Sequence, residues 1–397
     1  MVQNAALDWL TTQQDTMASL VEEWANVNSH SYNTVGLDCM AEFIKEAFSS
    51  LEPEVVQTTV GPQETLDDKG QAVSNPLGDV LQFIKRPDAP IQVLLCGHMD
   101  TVYEEDSPFQ KCHNIEPNIL GGPGVADMKS GIVIILKSLQ ALEQTSLASK
   151  IGWEVILTPD EELGSPGSYK LLQERAKKHQ IGLVFEPSLP DGSLVSQRKS
   201  SSYITAIAKG KTAHAGRDFA SGRNAIGALA MFLSLIQNIP MEHLTINPGY
   251  IWGGGALNIV PDHAICKINI RTQDIEHMQE TLRVCDQFAK EVSAQTEVAI
   301  EVRRNVVRPP KIFDAKTEKL YEQLRECGKE LGLSIDWRAS GGVSDGNYLA
   351  AAGLPTIDTL GGRGGNIHTH GEFLITDSLS ERAKLVVSFL VRLATAQ

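Results

Sequence analysis

Between residues 78 and 190, short apolar runs alternate with longer segments whose apolar positions recur every three or four residues. GDVLQFIK, IQVLLCGH, GWEVILTPDEE and IGLVFEPS read as strands, whereas MKSGIVIILKSLQALEQ and SYKLLQERAKKH carry helical spacing. Strands alternating with helices predict an α/β fold, a mostly parallel sheet with helices on both faces. Over residues 188–201 the pattern gives way to SLPDGSLVSQRKSS, whose Ser, Pro and Gly content predicts a crossing between domains. Beyond it, SYITAIAKG, NAIGALAMFLSLIQNI, the runs around GYIWGG and HAICKINIRT, IEHMQETLRVCDQFAKEVSA and EVAIEVRRNVV follow the order βαββαβ. That is the order of a ferredoxin-like α+β unit inserted into the first domain. After RPPKIFD, helix and strand signals resume to the end. The predicted division is a first domain over 1–196, an insert over 197–308, and a return to the first domain over 309–397. At the start, MVQNAALDWLTTQQDTMASLVEEWANV predicts one amphipathic helix, without the basic segment or continuous apolar block of a secretion leader.

Composition narrows the partners. The chain has 397 residues, 42% of them hydrophobic and 21% charged, enough for two domains with full cores. A formal net charge of −14 repels phosphate backbones and anionic bilayers, which argues against nucleic-acid and membrane partners. No run reaches the roughly 18–20 apolar residues that a membrane-spanning helix needs. Cys39, Cys96, Cys112, Cys266, Cys285 and Cys327 are scattered and form no CxxC pair, which predicts reduced thiols and a cytoplasmic location.

Three predicted strands end in acid or imidazole. LLCGHMDTVY ends a strand in His98 and Asp100, two residues apart and so on the same side of an extended chain. WEVILTPDEE ends in Glu161 and Glu162, and LVFEPS in Glu186. Ligands of open α/β sheets bind beyond the carboxyl ends of the strands, and a buried lone carboxylate costs several kcal/mol. GGPGVADMKSG places Asp127 near a helix start, where it serves either as an N-cap or as a ligand. Far downstream, GGRGGNIHTHGEF supplies His368 and His370. Imidazoles and carboxylates without cysteine form a donor set for two divalent ions, zinc foremost. A two-metal site needs a bridging carboxylate, and Asp127 is its natural candidate.

The motifs HMDTV, GPGVADMKSG, DEELGSPGS, FEPS, TAHAGRDFASGRNA, GGVSDGN and HTHGE occur in this order over nearly the whole chain. In that set the sequence resembles the M20 metallopeptidases, a family that includes glutamate carboxypeptidase, aminoacylase, acetylornithine deacetylase and succinyl-diaminopimelate desuccinylase. The resemblance implies a zinc-peptidase-like fold whose insert acts as a lid and dimerisation domain. It implies two divalent ions per subunit, zinc with cobalt or manganese as alternatives, one on His98 and Glu186 and the other on Glu162 and His368, with Asp127 between them. His368 is preferred to His370 because the family's last ligand stands four residues before a glutamate, here Glu372. A cis peptide is expected between Asp127 and Met128. Asp100 would orient His98, and Glu161 would be the general base that takes a proton from water and returns it to the leaving amine. His214 would reach the partner subunit's site across a homodimer and donate to the oxyanion. Asn258 and Arg271 would hold a substrate carboxylate.

The expected activity is cleavage of an amide beside a free carboxylate, by a carboxypeptidase of the glutamate carboxypeptidase kind or a dipeptidase. An N-acyl-amino-acid deacylase is the alternative, and a non-catalytic relative is a third reading that the retained Glu161, Asp100 and ligand residues oppose. Substrates would be small peptides or N-acyl amino acids. The sequence departs from the family at Phe219, where proline is usual, and adds Arg217 and Arg223 nearby. Those arginines either favour acidic substrates or pair with Asp218 and other surface acids.

Overall fold

The apolar runs form a six-stranded sheet in the order Glu54–Thr59, Asp79–Lys85, Ile151–Thr158, Ile91–His98, Ile181–Val184 and Thr356–Ile357 in a computed structural model that describes residues 2–395. The last four run parallel, and Asp79–Lys85 is antiparallel to both of its neighbours. Ile151–Thr158 is buried at all eight positions, as a strand covered on both faces must be. Pleating sends Val93 and Leu95 into one core with the helices Ser130–Glu143 and Ser378–Thr395. Leu94 and Cys96 point the other way, into a smaller core with the helices Tyr169–Ala176 and Gly346–Ala351. At the amino end, the single helix expected is two, Val2–Thr12 and Gln14–Ala25, which meet at Gln13.

A second sheet has the order Thr245–Gly253, His263–Thr272, Ser200–Lys209 and Ala299–Arg304, antiparallel throughout. With the helices Ala225–Gln237 and Ile275–Thr296 it encloses its own core around Ile204, Leu229, Phe232 and Ile268. This is the ferredoxin-like arrangement. Ile275–Thr296 shows why the helix forms: Met278, Leu282, Cys285, Ala289 and Val292 fall on one buried stripe. The Asp274 carboxylate caps its first turn by accepting from His277 N, which contributes about 1 kcal/mol.

The segment read as a plain crossing is half strand. Leu194–Arg198 pairs in parallel with Trp337–Ser340, a partner too distant in sequence to be seen locally. Immediately after it, the outgoing and returning chains meet as antiparallel bridges, Arg198 with Lys311 and Ser201 with Arg308. A small four-stranded sheet completes the frame, in which Phe373–Ile375 pairs with Ile119–Gly121. That pairing brings the glycine-rich loop of His368 beside the loop of Asp127. Among the described residues no helix is long and apolar enough to cross a membrane.

Candidate metal centre

Three adjacent parallel strands deliver their terminal side chains to one place. His98 closes Ile91–His98, Glu186 follows Ile181–Val184, and Glu161 and Glu162 open a single turn beyond Ile151–Thr158. Asp127 comes from an irregular turn, Val125–Lys129, just before the helix Ser130–Glu143. It caps nothing there, so the ligand reading gains over the N-cap reading. The Asp127–Met128 peptide is cis, at the expected position. Gly124 enters this turn at φ 73°, and a Cβ there would come within 2.7 Å of the Thr101 methyl.

The donor atoms converge around Asp127. His98, Asp127 and Glu162 each offer an atom within 4.8 Å of the other two. Asp127 Oδ1 lies 3.1 Å from His98 Nε2, and Oδ2 lies 3.3 Å from His368 Nε2. His98 Nε2 is 3.9 Å from Glu186 Oε1, and His368 Nε2 is 3.2 Å from Glu162 Oε2. Each oxygen of Asp127 therefore faces a different imidazole, and each imidazole a different glutamate. His370 stays outside, stacked on Phe109 with ring centroids 5.6 Å apart.

Buried like charges make this cluster electrostatically demanding. Burial, and after it the charge of Asp127, push Glu162 up to about 8. Burial drives Glu186 well above the carboxylate range, where the charges of Asp127 and Glu161 add to the shift and His98 opposes it. Burial works against a charged His98, but hydrogen bonds to Asp100 and Asp127 outweigh it and hold the imidazolium form well above its ordinary range. Hydrogen bonds to Asp127 and Glu162 raise His368 to about 11. Burial also opposes charge on Asp127, yet the two imidazoles hold it well below the usual carboxylate range. Among the described residues, no lysine or arginine forms an ion pair with Asp127, Glu162 or Glu186, so the two imidazoles are the groups that face these carboxylates. Two-sided oxygen and nitrogen donors that need positive charge between them fit a pair of divalent cations.

A family pattern described as peptidase family M20/M25/M40 matches residues 94–392. The chain belongs to this family. Carboxypeptidase G2 of Pseudomonas sp. (strain RS-16) is 25% identical over 401 residues, covering 99% of this chain and 93% of that protein. Succinyl-diaminopimelate desuccinylase of Ehrlichia canis (strain Jake) is 25% identical over 278 residues, covering 64% and 70% respectively. Among solved structures, aminopeptidase PepT from Bacillus cereus ATCC 10987 shares the fold with a TM-score of 0.74 at 24% identity, covering 97% of this chain and 99% of that one. The Bacillus subtilis YXEP protein, described as a dinuclear metal binding peptidase from the M20 family, has a TM-score of 0.68 at 16% identity, covering 98% and 100%. As an M20 peptidase this chain is a hydrolytic enzyme of a metal-dependent family.

Around the donors of this M20 peptidase, a further layer fixes their aim. His98 Nδ1 lies 3.0 Å from the backbone carbonyl of Asp100 and 3.3 Å from its Oδ1. The Asp100 carboxylate also accepts from Glu161 N at 3.2 Å, Glu162 N at 3.1 Å and Ser31 Oγ at 2.7 Å. It braces the acidic turn as well as the imidazole. Glu372, used above only as a spacing mark, accepts from Ala126 N at 2.9 Å, Asp127 N at 3.0 Å and Tyr103 Oη at 2.6 Å, and so shapes the Asp127 turn. Arg308 was not singled out by sequence. Its Nη1 donates to Glu161 Oε1 at 2.6 Å, and neither a motif nor a spacing marks it.

The residues expected from the insert divide. Arg271 lines a cleft of about 690 Å³ together with Asp127, Glu161, Glu162, Glu186 and His368. Its Nε donates to Asn269 Oδ1 at 2.9 Å and its Nη1 to Gly341 O at 2.6 Å. His214 and Asn258 do not line that cleft. They sit side by side on an exposed edge of the insert, where Ala215 N donates to Asn258 O at 2.9 Å. His214 Nδ1 accepts from Gly216 N and Arg217 N, both at 3.1 Å, and Nε2 makes no hydrogen bond among the described residues. Arg223 pairs with Glu297 rather than Asp218.

Proposed function

We propose that this M20 peptidase is a two-metal carboxypeptidase or dipeptidase that cleaves an amide beside a free carboxylate. The observation that carries the reading is the two-sided engagement of Asp127, each oxygen facing its own imidazole and glutamate. His98 and Glu186 would hold one divalent ion, Glu162 and His368 the other, with Asp127 shared and zinc the expected metal. Bound there, the ions would supply Lewis-acid polarisation of the scissile carbonyl and acidify a water. Asp100 keeps His98 in one tautomer and braces the turn that carries Glu161. Glu161 is the general base: it takes the proton from the attacking water and hands it to the departing amine. Arg271, whose guanidinium meets no carboxylate among the described residues, holds the substrate's carboxylate from within its own cleft, and Asn258, which lies beside His214 outside that cleft, reaches the same carboxylate in the partner subunit.

The insert, residues 197–308, acts as a lid and as the surface of a homodimer. Support comes from the exposure of Ile226 and Leu235 on the helix Ala225–Gln237, Ile251 and Trp252 on the edge strand Thr245–Gly253, and Leu257 in the loop that follows it. His214, away from its own chain's cleft, then donates to the oxyanion in the partner subunit. Six free thiols accord with a cytoplasmic location. The test is a hydrolysis screen of zinc-reconstituted protein against dipeptides, N-acyl amino acids and N-acylated glutamate conjugates. Release of a C-terminal amino acid is the expected result. Preferential deacylation would move the assignment to the N-acyl-amino-acid deacylases, and no hydrolysis with both metals bound would overturn it.

A further inference from the structure

Arg308 lies where the chain returns from the insert. Its N–H donates to Ser201 O at 2.8 Å and its carbonyl accepts from Ser201 N at 3.0 Å, at the point where the chain goes out. Both strands of the crossing are fastened to the first domain. Arg198 is held by both oxygens of Asp358 at 2.7 and 2.9 Å, and Lys311 Nζ donates to Ser196 O at 2.7 Å. From this anchored crossing the Arg308 side chain points away from the insert and into the acidic turn. Nη1 reaches Glu161 Oε1 at 2.6 Å, and Nη2 reaches Glu161 O at 3.2 Å and Ser165 Oγ at 2.8 Å. Asp345 Oδ1 stands 3.7 Å away, and the guanidinium carbon lies 5.3 Å from the centroid of the Tyr348 ring.

The side chain is 4% exposed, and its Nε is buried without a hydrogen-bond partner among the described residues. Burying a guanidinium with an unmet N–H is costly, so packing alone does not explain an arginine here. The grip on Glu161 is also one-sided: among the described residues, Oε1 takes the guanidinium and Oε2 takes no hydrogen bond. A carboxylate held by one oxygen, with the other unengaged, is oriented without being neutralised by a second donor. Arginine suits this task because it stays charged and cannot pass a proton to the base.

We propose that Arg308 is the positioning residue for the catalytic base, fixing the Glu161 carboxylate from the crossing that carries the insert. The proposal rests on the reading of Glu161 as base. A base displaced by about 1 Å loses on the order of 10² in rate, so this anchor is visible in kinetics. In zinc-reconstituted Arg308→Met, kcat falls by about 10², while KM stays within about threefold and metal content stays at the wild-type value. Guanidinium ion added to Arg308→Ala restores part of kcat, and Arg308→Lys keeps more activity than Arg308→Met; a purely structural loss is rescued by neither. In crystals of the metal-free proteins, the Glu161 carboxylate of Arg308→Met moves by about 1 Å or more from its wild-type place. An active wild type whose Arg308→Met and Arg308→Lys forms keep full kcat, or whose Glu161 has not moved, overturns the proposal. A metal-loaded wild type that hydrolyses nothing overturns the base assignment instead, and with it this role for Arg308. If Arg308→Met does not fold, Arg308→Lys carries the same crystallographic and kinetic comparison.

Discussion

The carboxyl ends of the central parallel strands and the outer side of the inserted sheet present opposite kinds of surface. Ile151–Thr158 is buried throughout and runs into Glu161 and Glu162, whose charges must be met within the same chain. Thr245–Gly253, at the edge of the insert, is mostly exposed, and the neighbouring His214 and Asn258 lie open to solvent. Burial forces each polar group at the strand ends to have an answer nearby, so that site is assembled by a single fold. Exposure imposes no such demand, so the roles proposed for the insert depend on a second surface. The contrast yields experiments that lose activity with the metals and experiments that lose it without them.

The largest effect is expected at Asp127, the residue on which both halves of the cluster turn. Asp127→Ala should bring the metal content of zinc-reconstituted protein from close to two per chain to below one. Losing several kcal/mol of Lewis-acid stabilisation corresponds to a fall in turnover of roughly 10³ or more. Elemental analysis beside a rate assay checks both; a variant that keeps two metals would break the two-sided reading. The adjacent pair Glu161 and Glu162 sharpens it. Glu161→Gln should lower turnover by about 10²–10⁴ with metals retained, the contribution of a positioned base. Glu162→Gln should instead weaken metal binding, and the reverse pattern would exchange the two roles.

What was legible follows the same division. An apolar run that stops at His98, Glu161 or Glu186 announces a buried charge, and the parallel sheet that collects those ends follows from strands alternating with helices. The meeting of His368 with Asp127 depends on Phe373–Ile375 pairing with Ile119–Gly121, more than two hundred residues apart, and only the family resemblance carried it. Arg308 was invisible for the same reason: its partner is 147 residues away, and no motif marks the Arg-Pro-Pro run in which it stands. Leu194–Arg198 passed for a linker because its polar, glycine-flanked sequence needs the distant Trp337–Ser340 to become a strand. The break at Gln13 escaped because the helical spacing runs straight through it.

On the exposed side, His214→Ala should cost roughly 10²–10³ in turnover, the usual loss of one oxyanion donor, with metal content unchanged. The decisive measurement is complementation. Mixed dimers of His214→Ala with Glu161→Gln should regain activity, because one of their two sites receives an intact glutamate from one chain and an intact histidine from the other. Mixed dimers verified by mass spectrometry that show no recovery would confine each site to one chain and erase the contrast between the two surfaces.

The smallest effect is expected at Arg223, which stands near the TAHAG turn and carries a positive charge of the sign that acidic substrates need. Its guanidinium is already engaged. Nε and Nη2 donate to Glu297 Oε2 at 3.0 and 2.7 Å, and Nη1 donates to Ala220 O at 3.1 Å and Gly222 O at 2.8 Å. The Glu297 side chain is 70% exposed, so the pair is screened by solvent and contributes no more than about 1 kcal/mol. Arg223→Ala should therefore change stability by no more than that amount, and leave kcat/KM for an acidic and a neutral dipeptide in the same ratio as wild type. Arg271, which meets no carboxylate among the described residues, gives the opposite expectation for any substrate with a free carboxylate: Arg271→Ala raises KM. A shift in the acidic-to-neutral ratio on Arg223→Ala, larger than the loss of one exposed pair allows, would bring this edge of the insert into substrate recognition.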